Sequence, residues 1–95
     1  MSTQPQTNRK AQHVVVPRFY DLKAVMSTFG ISRNTILKMI ETSQFPKPVR
    51  LFSRRQAWPD HEVETMVKLI SANLPKDELV KRVVKMEEAR KELAA

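Results

Sequence analysis

Ser53-Arg54-Arg55 lies between two short β-prone segments, Val49–Phe52 and Gln56–Trp58, and Arg50 sits inside the first of them. Adjacent guanidinium groups at a turn repel one another unless an anion or solvent accommodates them, and arginine's planar fork of donors matches phosphate oxygens. Arg50, Ser53, Arg54 and Arg55 are therefore candidate phosphate ligands at the tip of a small hairpin. A second group precedes it: Ser32, Arg33, Asn34, Thr35 and Lys38 open a short amphipathic segment. Side chains at the leading end of a helix that follows a tight turn can reach base edges in the major groove of DNA. There Arg33 suits guanine and Asn34 suits adenine.

The elements that must hold these groups can be read on either side. Gly30 is the only glycine of the chain and stands between two apolar-patterned segments, which implies a left-handed backbone that ends one helix and redirects the chain. Asp21 is the expected N-cap of a first helix over about Leu22–Thr28, with Leu22, Val25, Met26 and Phe29 facing the core. Ser32 is the expected N-cap of a second helix, about Arg33–Thr42. Ile36, Met39 and Ile40 form its apolar stripe; the opposite face centres on Asn34 and Lys38, with Leu37 and Glu41 beside them. Taken alone, that face also suits an ordinary solvated helix.

Pro46 and Pro48 hold the following linker extended, and Trp58 is expected to pack the hairpin onto the helices. Val14, Val15 and Val16 read as a short strand leading into the domain. A third helix begins at Pro59, where Asp60, Glu62 and Glu64 complement the positive end of the dipole; Val63, Met66, Val67 and Ile70 face inward, and it stops near Asn73. A fourth starts at Lys76 or Asp77 and carries Leu79, Val83, Met86 and Leu93 in a stripe interrupted by Arg90. Such a stripe either folds back on the core or packs against another copy of the chain; we assign these four residues to self-association along DNA.

The 95 residues suffice for one small domain with accessory segments: a basic N-terminal tail over 1–16, a DNA-binding domain over 17–74 and a C-terminal helix over 75–95. The formal charge of +7 is uneven: residues 1–58 carry ten Lys/Arg against Asp21 and Glu41, whereas residues 59–95 are close to neutral. The first half seeks a polyanion. There is no cysteine, and His13 and His61 have no ligand-spaced partners, so no metal site, cofactor or enzymatic activity is expected. No apolar run reaches the length of a membrane span and the first residues lack the apolar segment of a signal peptide, which places the chain in the cytoplasm with no membrane partner.

Residues 19–70 resemble the AlpA-like prophage regulators and excisionases, small winged-helix proteins related to MerR. The resemblance rests on LKAVMSTFGISRNTILKMI, then FPKPVRL, an arginine-bearing turn and AWPDHEVETMV, in that order. It implies a mainly α fold with a small β-hairpin, a MerR-like winged helix-turn-helix, here followed by a C-terminal helix. It also implies double-stranded DNA as partner in a bacterial, nucleoid-associated setting. Ser32, Arg33, Asn34, Thr35 and Lys38 then occupy the recognition helix and Arg54 the wing. The role implied is that of an excisionase, or recombination directionality factor, assisting a tyrosine recombinase (integrase); the alternative is a transcriptional regulator of a prophage or integrase gene. A protein-interaction adaptor is the reading from another class. Effector-sensing MerR proteins carry a further region, so no small-molecule effector is expected. Three positions depart from the family pattern: Phe52 where the wing commonly has glycine, Leu37 where an aromatic is usual, and Met66 where a second tryptophan is frequent.

Overall fold

A computed structural model describes residues 18–52 and 54–93. In chain order the elements are β1 (Phe19–Asp21), α1 (Leu22–Phe29), α2 (Arg33–Glu41), β2 (Val49–Leu51), β3 (Arg55–Pro59), α3 (Asp60–Ser71) and α4 (Lys76–Leu93). The three strands form one antiparallel sheet in the order β1-β3-β2. This is a mainly helical winged helix-turn-helix with a C-terminal helix, as the sequence implies.

Local chemistry sets the first two helices. Asp21 is extended and its carboxylate accepts from the Ala24 amide at 2.9 Å, supplying a partner to one of the amides that α1 leaves unpaired at its start. Gly30 has φ 66°, and both its own amide and that of Ile31 return to the Met26 carbonyl, at 2.8 and 3.2 Å. That pattern closes α1 in a left-handed turn that a Cβ would strain. Ser32 then caps α2, its Oγ accepting from the Thr35 amide at 3.2 Å. The other exits from helices use non-glycine residues in the same left-handed region: Ser43 at φ 60° after α2 and Asn73 at φ 55° after α3.

The core joins all four helices to the sheet. Val25, Ile36, Phe45, Trp58, Val63, Met66, Leu69, Leu79 and Val83 are buried together, with Leu22, Met26, Phe29, Met39, Ile40 and Met86 packed around them. Phe45 is the hub: its ring meets Phe29 and Trp58 edge-on, at centroid distances of 5.5 and 5.7 Å. The Trp58 indole N–H donates to the buried Pro46 carbonyl at 2.7 Å.

One element was not foreseen, and two expectations need adjustment. β1 is a strand the sequence does not announce; Tyr20 pairs with Trp58, and the Asp60 amide donates to the Arg18 carbonyl at 2.7 Å, tying the start of α3 to β1. The stretch Val14–Val16 and the tail over 1–16 lie outside the described residues. On α3 the buried face is Glu62, Val63, Met66 and Leu69, while Val67 and Ile70 are exposed. On α4, Leu79 and Val83 are buried and Met86 is partly buried against the core, so the chain itself covers most of this stripe, while Leu93, 73% exposed, remains on the surface. A small domain gains more from covering that stripe itself than from leaving it in water.

Candidate nucleic-acid interface

α2 presents the first group of candidate residues. Its inner side is anchored by Ile36, which is fully buried, with Met39 and Ile40 beside it. A helix advances 100° per residue, so burying that stripe turns the opposite face outward, and Arg33, Asn34, Thr35 and Lys38 are all exposed. Asn34, Thr35, Leu37, Lys38 and Glu41 line a shallow open depression on that face. Ser32 is exposed as well, but its hydroxyl is engaged as the cap and lies 3.0 Å from the Thr35 hydroxyl. Its role here is to start the helix at this point, which decides where Arg33 and Asn34 stand.

The wing presents the second group. Val49 pairs with Ala57, Arg50 with Gln56 and Leu51 with Arg55, so the chain turns back between Leu51 and Arg55, with Phe52 and Arg54 at its turn. Directly opposed residues share a face and neighbours alternate, so Arg50 and Arg55 emerge from opposite faces of the ribbon. Arg50, Arg54 and Arg55 are exposed; Ser53 lies outside the described residues. Phe52 begins the loop with φ 57°. A left-handed backbone is what a glycine supplies freely, so a glycine would sit at this position with less strain than Phe52.

Between the two groups runs a linker held from several directions. The Gln44 amide returns to the Met39 carbonyl at 2.7 Å, Phe45 and Pro46 are buried, and Pro46 receives the Trp58 indole. From α4, Glu87 accepts from the Lys47 amide at 2.7 Å, and the Arg90 guanidinium donates to the Lys47 carbonyl at 2.7 Å. Arg90 also grips Glu62 of α3 in a fork, Nε at 2.7 Å from Oε2 and Nη2 on Oε1. Glu62 has no solvent exposure, so an ionised partner is required there. The hydrogen bond to Glu62 is the main reason the Arg90 pKa is raised, with burial opposing it and Glu62 and Glu87 adding Coulombic support. The sign of that shift means that the stability it represents is lost as the pH rises through the arginine range, in strong alkali.

This clamp is the functional arrangement that the sequence reading missed. Arg90 lies seven residues after Val83, on the same helical face, and a charge at that place in an apolar stripe signals a buried partner. Glu62 is adjacent to Val63 and four before Met66, hence also on the inner face, although its place in the first turn of α3 offered a sufficient dipole explanation.

Among the described residues, ion pairs hold Lys47, Arg82 and Arg90, and none involves Arg33, Lys38, Arg50, Arg54 or Arg55. Nor does any group of three or more described His, Asp or Glu residues gather as metal ligands do. The surface therefore offers two sets of uncompensated cations on a fixed frame. A family model described as "Prophage CP4-57 regulatory protein (AlpA)" matches residues 18–68, more than half of the 95-residue chain and both sets of cations. The chain belongs to the AlpA family. No curated protein and no solved structure matches it. The AlpA match covers β1 through most of α3 and ends before α4, so Glu87 and Arg90 reach the AlpA region from outside it. AlpA membership carries a DNA-binding regulatory role in a prophage setting, a family role that is not enzymatic. No described helix is long and apolar enough to cross a membrane.

Proposed function

We propose that this AlpA-family chain binds duplex DNA sequence-selectively at a mobile element and acts as an excisionase, a recombination directionality factor whose occupancy near an attachment site assists a tyrosine recombinase. The observation that carries the DNA reading is the grouping of cations: Arg33 and Lys38 on α2 and Arg50, Arg54 and Arg55 on the wing are all exposed and have no carboxylate partner among the described residues. In the proposed complex α2 lies in the major groove, with Arg33, Asn34, Thr35 and Lys38 toward base edges and nearby phosphates. Arg50, Arg54 and Arg55 hold the backbone beside it, with Ser53 contributing from the turn. The role asks for occupancy of the site and not for a particular contact between copies, which matters because Leu79 and Val83 lie in the core and Met86 is packed against it.

A second reading, transcriptional regulation of a prophage or integrase gene, is favoured by the regulatory description that the family bears. Titration of the protein onto an attachment-site duplex and onto the integrase promoter, at several salt concentrations, separates these readings. Preferential, salt-sensitive binding at the attachment site together with increased excision in a reconstituted recombinase reaction is the expected result. Binding confined to the promoter, with excision unchanged, would leave the regulator. Equal, weak binding to every duplex would leave the adaptor reading, in which the cations only solubilise.

A further inference from the structure

Phe52 has no role in the fold. It is 93% exposed, the most exposed of the large hydrophobic side chains described, and it contributes nothing to the core. Its backbone sits at φ 57°, a conformation that penalises any side chain and in which glycine or asparagine would be easier. An exposed aromatic held in an unfavourable conformation is disfavoured by both hydration and backbone sterics, an outlier of the kind that clusters at ligand-contacting sites.

Its surroundings say what kind of partner it meets. Phe52 and Arg54 stand at the turn of the wing, with Arg50 and Arg55 emerging from opposite faces of the ribbon just behind it. The wing thus ends in a phenyl ring flanked by guanidinium groups on both faces. An apolar protein surface would have to desolvate those arginines, whereas a groove walled by phosphates on both sides would pair them and leave the ring against the base edges. The minor groove of B-DNA, about 6 Å wide, has that form. Apolar side chains that enter it can wedge between base steps, unstack them and kink the duplex, most easily at pyrimidine–purine steps.

We propose that the wing enters the minor groove and that Phe52 wedges its ring into a base step there, bending the DNA. This rests on the duplex-binding reading above and adds to it a deformation and a preference for flexible steps under the wing. The test uses the full chain and a short duplex selected from a random-sequence pool on the wild-type protein. The end-to-end distance is followed by energy transfer between terminal dyes, and base unstacking by a 2-aminopurine at the step under the wing. Wild-type protein is expected to shorten the dye separation and brighten the aminopurine. Phe52→Gly relieves the backbone and keeps every charge, so it should fold at least as firmly as wild type. It should lose the bend and the brightening and bind about tenfold more weakly, with an unchanged salt slope. Phe52→Asn, polar but tolerant of the same backbone, should behave alike. Equal bending and affinity in Phe52→Gly and wild type would overturn the wedge while leaving duplex binding in place. So would an affinity loss with a reduced salt slope and an unchanged bend, since Phe52 would then merely position the arginines. If wild type binds no duplex at all, the broader reading falls and the wedge with it.

Discussion

Arg90 and Arg54 carry the same guanidinium into opposite surroundings. Arg90 is partly buried and forks onto Glu62, which has no exposure, while a third donor bond fixes the Lys47 carbonyl. Arg54 stands exposed at the turn of the wing with no carboxylate partner among the described residues. One group is part of the architecture; the other is exposed, as the phosphate contact proposed above requires. Net charge alone hides this division, because +7 says nothing of which cations are already paired.

The strongest challenge to that division is to remove one carboxylate from the architectural side. Glu62→Ala leaves Arg90 partly buried without its partner and should cost about 3–5 kcal/mol of stability in a denaturant titration. Arg54→Ala in the same assay should move stability by less than about 0.5 kcal/mol. A Glu62→Gln, Arg90→Met double variant that is less destabilised than the sum of its single substitutions would show that the charges act as a pair. If Glu62→Ala were as mild as Arg54→Ala, the division into two classes of cation would not stand.

The outward-facing cations should show the converse behaviour. Arg54→Ala combined with Arg55→Ala should weaken binding to every duplex and lower the slope of log affinity against log salt by about 1 for each phosphate no longer held. Arg33→Ala and Asn34→Ala should instead change which duplex is preferred, each by roughly 1–3 kcal/mol of discrimination, measured against a matched set of single-base variants. Uniform loss across that set would move Arg33 and Asn34 into the phosphate-holding class with the wing. The smallest effect is expected at the cap: Ser32→Ala removes the bond to the Thr35 amide and should cost about 1 kcal/mol, read as a lowered thermal midpoint.

How far the sequence speaks depends on the range of the interaction. The cap at Asp21, the left-handed exit at Gly30 and the cap at Ser32 were legible because each is a bond between residues three to five apart. The wing was legible because two prolines and a basic turn bracket it. β1 was not: three residues carry no period, and Phe19–Asp21 becomes a strand only because β3 lies beside it. The inner face of α3 was placed one position off, at Ile70 and not Leu69; the buried set includes Glu62, whose partner lies 28 positions later and leaves no local signal. The stripe on α4 was visible as apolar, but periodicity cannot say whose surface covers it; Leu79 and Val83 turn out to be covered by their own chain. Of the candidate interface, exposure and the lack of a carboxylate partner among the described residues emerge for Arg33, Lys38, Arg50, Arg54 and Arg55, while their contacts with DNA are for the experiments above.

The linker clamp has a bearing on how tightly two readers can be kept in phase. Glu87 and Arg90 take hold of Lys47, midway between the helix proposed to read bases and the ribbon proposed to hold phosphates. Duplex geometry is periodic, so a small change in the spacing of those two elements misaligns one whenever the other is seated. A lesion at the far C-terminal end, such as Glu87→Gln, would then blur discrimination between sites while leaving every cation of the interface in place. The back of the molecule would be tuning a choice made at its front.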